Sequence, residues 1–432
     1  MSKALAIVSC PIDTYSGYGA RSRDFVKALI KAKPEWDVKI LSQRWGATKF
    51  GYLQDHNELD LAQRIIPGVQ NKPNVWIQIT VPNEFQPVGD FNIGVTAGIE
   101  TTACHDSWIQ GVNRMNLILT SANHAKIVFE QTTYEMKDQG GNKAGVLKLE
   151  KPVEVLFEGV DVSKYYKKAP NKDSKIVNSL NTIKESFCFL IVGHWLSGEF
   201  GHDRKNIGLT IERFLTTFRT QLKKPALVLK TQSANSGLID QTSIIEKIDL
   251  IKKNIGGSNF PNIYLLHGEL PDEEINELYN HPKIKAMVSF TKGEGFGRPL
   301  LEFTTTGKPI IASGWSGHTD FLRKDLNLLV GGKLNDVHQS AFMKDAIIEN
   351  SKWFDADPKQ CATAYKYAFK NYNKHLPKAK KQLSVTKKYF TLDKMTEQLK
   401  EHLDKYVPTL AIKHEFKAPL PKEIKLPKRP KK

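Results

Sequence analysis

Between Ala286 and Leu322 the chain reads AMVSFTKGEGFGRPLLEFTTTGKPIIASGWSGHTDFL, with glycines alternating at 293, 295 and 297 and two glutamates, Glu294 and Glu302, eight positions apart. AMVSF has the pattern of a buried strand and TKGEGFGR that of a loop, and PLLEFTTTG predicts a helix opened by Pro299 and stopped by Gly307. The glycines therefore fall between the carboxyl end of a strand and the amino terminus of a helix. Open α/β sheets bind ligands at that place, where unpaired N–H groups and the helix dipole favour phosphate. Gly293, Gly295 and Gly297 would let the main chain approach such a ligand closely. Carboxylates repel phosphate but accept hydrogen bonds from neutral hydroxyls. A ligand with phosphates between two polyol rings, such as a nucleoside-diphosphate sugar, satisfies both features.

Other readings of the run fit less well. The spacing GxGxG is poor for a dinucleotide fingerprint, and the next apolar run, PIIAS, ends at Ser313 and Gly314 with no ribose-binding acid. A phosphate-cradling P-loop needs GK[ST], whereas Gly307 and Lys308 are followed by Pro309. A purely structural loop with two solvated glutamates is the bland alternative.

Working outward, short β-branched or aliphatic runs alternate with longer helix-like segments: ALAIVS, DVKILS, VWIQIT, NIGVTAG and NLILTS, then FCFLIVG, ALVLKT, NIYLLHG, AMVSFT and PIIAS. Two such series predict two doubly wound parallel sheets in an α/β chain. A turn and a polar, lysine-rich stretch after VEVLFEGVDVSKYY place the boundary near residue 165. The expected organisation is an N-terminal domain over 1–165, a C-terminal domain over 166–390, a helix over 391–407 and a basic, proline-rich tail over 408–432. Leu392, Met395, Leu399, Leu403 and Val407 recur at helical spacing, which makes 391–407 amphipathic.

The 432 residues, 40% hydrophobic, are enough for two ordinary cores. No apolar run is long enough to span a bilayer, and the four cysteines form no metal-spaced cluster, so a cytoplasmic protein with reduced thiols is expected. The formal charge of +17 is unevenly placed. Residues 361–390 carry eight lysines and no acid, and residues 408–432 carry seven lysines and Arg429 against Glu415 and Glu423. Charge gathered at one end suggests a polyanionic partner or an anionic membrane surface; a solvated lysine-rich face is the plainer alternative. Lys366, Lys370 and Lys374, at four-residue spacing with Tyr365, Tyr367, Phe369 and Tyr372 among them, are candidate polyanion contacts. The pair Asp355-Ala356-Asp357 precedes Pro358 with no strand leading into it, so it reads as a helix-capping turn and not as a metal-chelating motif.

EGFGRPLLEFTTTGKPIIASGWSG, Glu294 to Gly317, resembles the hallmark of the retaining GT-B glycosyltransferases of the glycogen-synthase-like class, a Glu, seven residues and a second Glu. FEGVDVSKYY at Phe157–Tyr166 is similar to that family's crossover, DRKN at 203–206 to its phosphate-binding lysine segment, and SGYGARSRDFVKAL to its glycine-bearing loop and first helix. The resemblance spans about residues 4–407. It implies two Rossmann-like domains facing a central cleft, with the C-terminal helix crossing back to the N-terminal domain. It also implies that Glu302 holds the ribose, that Glu294 holds a hydroxyl of the donor sugar, and that Lys205, helped by Arg204, neutralises the departing diphosphate. Gly17, Gly19, Gly295, Phe296, Gly297 and Leu300 complete the implied donor site. His194 stands where many members carry an arginine, which leaves Arg204 as its substitute. Glu100 begins the implied acceptor side, with His105 in the same loop.

The implied activity is retaining transfer of a hexosyl or pentosyl group from a nucleoside-diphosphate sugar, a UDP-sugar first, to a hydroxyl acceptor, with neither metal nor cofactor. A hydroxylated base in DNA is one acceptor that the basic C-terminal region suggests. A glycan or lipid modified at an anionic membrane is another. From a different class, the same double-domain fold serves sugar-nucleotide epimerases and would serve a non-catalytic sugar-nucleotide binder.

Overall fold

In the computed structural model, which describes residues 3–46, 48–195, 198–233 and 237–410, the alternating apolar runs form two six-stranded sheets. The first has the order β2-β1-β3-β4-β5-β8, from β1 (Ala4–Cys10), β2 (Trp36–Ser42), β3 (Val75–Ile79), β4 (Phe91–Thr96), β5 (Leu117–Thr120) and β8 (Val153–Val155). Between β5 and β8, β6 (Tyr134–Lys137) and β7 (Lys143–Leu147) form a separate hairpin. The second has the order β11-β10-β9-β12-β13-β14, from β9 (Cys188–Val192), β10 (Ala226–Thr231), β11 (Ile263–His267), β12 (Ile284–Ser289), β13 (Ile310–Ser313) and β14 (Leu328–Val330). Every neighbouring pair within both sheets is parallel. All ten predicted runs are strands of these sheets, because residues buried on both faces must be apolar throughout.

Strand order fixes where ligands go. The second sheet reverses direction between β9 and β12, and the loops leaving those two strands therefore part and open a crevice at their carboxyl ends. DRKN follows β9 and the glycine run follows β12, so one switch point gathers both motifs.

The chain passes between the sheets twice. After β8 it runs through residues 156–187 to the second sheet, and at Phe390–Leu392 it returns. The two crossings touch: Val160 N–H donates to the Phe390 carbonyl and Leu392 N–H to the Val160 carbonyl, both at 2.9 Å. The helix Leu392–Tyr406 then lies along the helix Gly17–Ala32, with Met395, Leu399 and Leu403 fully buried in the core of the first sheet. This is the expected amphipathic helix.

Three expectations about local structure need correction. A strand does lead into Asp355-Ala356-Asp357: β16 (Lys352–Ala356) pairs antiparallel with β15 (Gly332–Asp336) outside both main sheets. Asp357 caps the following helix, accepting from Gln360 N–H at 2.8 Å, whereas Asp355 is ion-paired with Lys292. Second, Lys366, Lys370 and Lys374 do not share one helix. Asn371 ends the helix Pro358–Lys370, and Lys374 belongs to the helix Tyr372–Tyr389. All three lysines are exposed, while Tyr365 is fully buried and Phe369 and Tyr372 pack edge-on against Phe187. Third, these three rings pack in the core and are not free to stack on bases, whereas Tyr367 is exposed. The basic tail beyond residue 410 lies outside the described residues. Among the described residues, no helix is long and apolar enough to cross a membrane.

Candidate active site

A cleft of about 750 Å³ opens between the two halves. Its first-half wall is the amino end of the helix Gly17–Ala32, and its second-half wall is built from loops at the carboxyl ends of β9, β10, β11 and β12. Ser16 caps the helix by accepting from Gly19 N–H at 2.9 Å, which turns Gly17 towards the cleft. Gly19 serves the turn and does not line the cleft, because a methyl there would lie 2.2 Å from the Thr14 carbonyl oxygen.

Arg204, Lys205 and Glu294 form a tight ionic cluster. Lys205 Nζ lies 2.6 and 2.8 Å from the two Glu294 oxygens. Arg204 Nη1 donates to the Gly293 carbonyl at 2.9 Å and lies 3.6 Å from Glu294 and 3.5 Å from Glu100. Burial alone would push the Glu294 carboxyl up, but Lys205 and Arg204 pull it down to about 2, so it is ionised. His194 is held below the usual imidazole range by burial and by Lys205, Lys230 and Arg204, and is neutral.

Glu302 lies on the helix Arg298–Thr304 at the other end of the cleft. Tyr279 Oη donates to it at 3.3 Å and Arg298 Nε lies 3.9 Å away. Here burial wins over the arginine and lifts the carboxyl to about 7. Arg298 also reaches Asp24 on the helix Gly17–Ala32 at 2.7 Å and Glu158 in the first crossing at 3.3 Å.

The glycine run makes a close contact between the two halves. A methyl on Gly293 would lie 1.9 Å from the Glu100 carbonyl oxygen, and one on Gly295 2.7 Å from that of Ala97. These glycines let loop 97–100 of the first half pack directly on the loop after β12. Gly297 has φ of +97° and starts the helix Arg298–Thr304. Phe296 and Leu300 are buried in the core of the second sheet, and Leu300 N–H is already given to the Gly297 carbonyl. Neither faces the cleft. Main chain of both halves therefore meets beside Glu294, which does not itself line the cleft.

The acceptor-side residues are likewise engaged. Glu100 faces Arg204. His105 caps the helix Asp106–Asn113 and lies 3.7 Å from Asp345, in the segment between β15 and β16. The start of β16 is tied to the same loop by Thr102 N–H to the Lys352 carbonyl and Lys352 N–H to Thr102 Oγ1, both at 2.9 Å.

Searches against family models and curated proteins found no match. Solved structures do match. A glycosyltransferase from Rickettsia africae is similar over 95% of this chain and 100% of its own, at 12% identity and a TM-score of 0.64. A sucrose-phosphate synthase from Thermosynechococcus elongatus is similar over 93% and 98%, at 13% identity and a TM-score of 0.59. HepE from Anabaena, solved with UDP and glucose, is similar over 93% and 100%, at 12% identity and a TM-score of 0.57. The fold is GT-B.

Within this GT-B frame the structure adds residues that the motifs did not. Lys230 lies near the end of β10 and Gln232 just beyond it, Glu269 and Asp272 follow β11, and Arg298 and Asp24 face each other across the cleft. The first four lie at carboxyl ends of strands, and the rule that open sheets bind ligands there was enough to find them. Arg298 and Asp24 had no such signal, because 274 residues separate them.

Proposed function

We propose that the chain is a retaining glycosyltransferase that moves a sugar from a nucleoside-diphosphate sugar, with UDP as the preferred nucleotide, to a hydroxyl acceptor. The observation that carries this reading is the gathering of Glu302, Arg204, Lys205 and His194 on one cleft walled by both halves of a GT-B fold. Residues 1–165 supply the acceptor side and residues 166–390 the donor side. Glu302 accepts the ribose hydroxyls. Lys205 and Arg204 take the diphosphate and stabilise the charge that grows on it as the glycosidic bond breaks. When phosphate draws Lys205 away, Glu294 is released to a hydroxyl of the transferred sugar, with Glu100 across from it. Transfer occurs on one face of the sugar, without a metal ion and without a protein nucleophile. UDP- and GDP-sugars incubated with and without acceptors test this: nucleotide release that depends on acceptor supports transfer. Altered sugar with no acceptor would mean an epimerase, and tight binding without turnover a silent binder.

For the acceptor, the exposed lysines of the helices Pro358–Lys370 and Tyr372–Tyr389 support a polyanion bound through its phosphates, with a hydroxylated DNA base as the group modified. Labelled-sugar transfer to hydroxymethylated DNA checks it, and binding to anionic vesicles but not to DNA would replace it with a membrane-docked acceptor.

A further inference from the structure

Arg298 joins three separate parts of the chain. Its Nη1 is 2.7 Å from Asp24 Oδ2 of the helix Gly17–Ala32 and 3.3 Å from Glu158 Oε2 of the first crossing. Its Nε is 3.9 Å from Glu302 Oε1, one helical turn along. The first two contacts are charge-assisted hydrogen bonds that fix one end of the guanidinium fork; the third is longer than a hydrogen bond and acts through charge. The carboxylates of Asp24, Glu158 and Glu302 are only 17%, 7% and 12% exposed, so solvent screens these interactions weakly.

Among the described residues, Arg298 is the cation within ion-pair reach of Glu302. Of the other groups facing Glu302, Tyr279 supports its charge by donating a hydrogen bond, and the acids Asp272 and Asp24 work against it. Asp272 and Tyr279 face it from the helix Asp272–Asn280, Tyr165 from the first crossing, and Asp24 from across the cleft. Lys164 Nζ and Tyr165 Oη both lie 2.8 Å from Asp272 oxygens, so Lys164 is committed to Asp272.

We propose that Arg298 is the positioning residue of the nucleoside end: anchored by Asp24 and Glu158, its guanidinium faces Glu302, favours the charge that receives the ribose hydroxyls and ties that site to the docking of the helix Gly17–Ala32. The proposal rests on Glu302 being the ribose ligand. Because Asp24 belongs to the first half and Glu302 to the second, nucleotide binding and closure of the two halves become linked, each strengthening the other.

The test measures UDP affinity by calorimetry across about two pH units on either side of neutrality, with the radius of gyration by small-angle scattering with and without UDP. Arg298→Gln is expected to raise the pH midpoint of UDP binding by about one unit or more, since a neighbouring opposite charge depresses a carboxyl by that much. Arg298→Lys returns the charge and so brings the midpoint back towards wild type. Asp24→Asn removes an acid and an anchor, so its midpoint does not rise, yet UDP no longer compacts the molecule. An unchanged midpoint and affinity in Arg298→Gln, or normal compaction in Asp24→Asn, overturns the proposal. Should Arg298→Gln fail to fold, the lysine and Asp24→Asn variants decide between the same outcomes. A wild-type chain that binds no nucleotide overturns the functional reading itself, and so does a Glu302→Gln variant that keeps full, pH-dependent affinity.

Discussion

Glu294 and Glu302 share one loop and helix but differ in protonation because their surroundings differ. Two cations hold Glu294 near 2, and burial holds Glu302 near 7. A carboxylate accepts two hydroxyl hydrogen bonds, whereas a carboxylic acid must give up one site to its own proton. UDP affinity should therefore strengthen as pH rises through about 7 and fall by up to about tenfold per unit below it; a titration calorimetry series reads this directly. Glu302→Ala should cost about 1.5–3 kcal/mol of nucleotide binding, the range for a hydrogen bond to a charged group, and an unchanged thermal shift with UDP would refute the ribose role. Glu294→Gln should spare nucleotide binding and lower the turnover of sugar transfer by about 10²–10³, as for loss of one polar contact made at the reacting centre. Both glutamates and the Arg204–Lys205 pair were legible in the sequence because each lies in a contiguous motif. The partners of Arg298 were not, because ion pairs between distant segments leave no periodic trace.

Two elements carry more meaning in the structure than in the sequence. The alternating glycines signalled close approach, and close approach is what they provide, to the backbone of residues 97–100. Only Cβ geometry identifies that neighbour, and sequence holds none. Gly293→Ala should push the two loops apart, lowering stability by about 1–3 kcal/mol as for an overpacked contact, read as a fall in melting temperature. In the lysine helices the charge is exposed as read, but Tyr365 and Phe369 serve the core around Phe189 and Phe218 and leave Tyr367 as the exposed ring among the four. A charge-reversed variant, Lys366→Glu with Lys370→Glu and Lys374→Glu, should weaken DNA binding and flatten its dependence on log salt by about 0.9 per lost phosphate contact. Filter binding at several salt concentrations checks that.

At the scale of the molecule, the two-sheet architecture was legible because parallel strands covered on both faces are nearly continuous apolar runs. What could not be read was how the halves meet. Leu399 lies far from the first sheet in sequence yet is fully buried in its core. Leu399→Ala should cost about 2–5 kcal/mol and should lower the melting of the first half most, which hydrogen exchange at β1 and β3 would report. The return of the chain at Phe390–Leu392 also sets the order of assembly during synthesis. The core begun by Phe25 and Val26 lacks Met395, Leu399 and Leu403 until residue 403 has left the ribosome, when the second sheet is already complete. The half that is made first is finished last, and a ribosome that stalls before Leu392 releases a chain with one folded lobe and one open, apolar helix face.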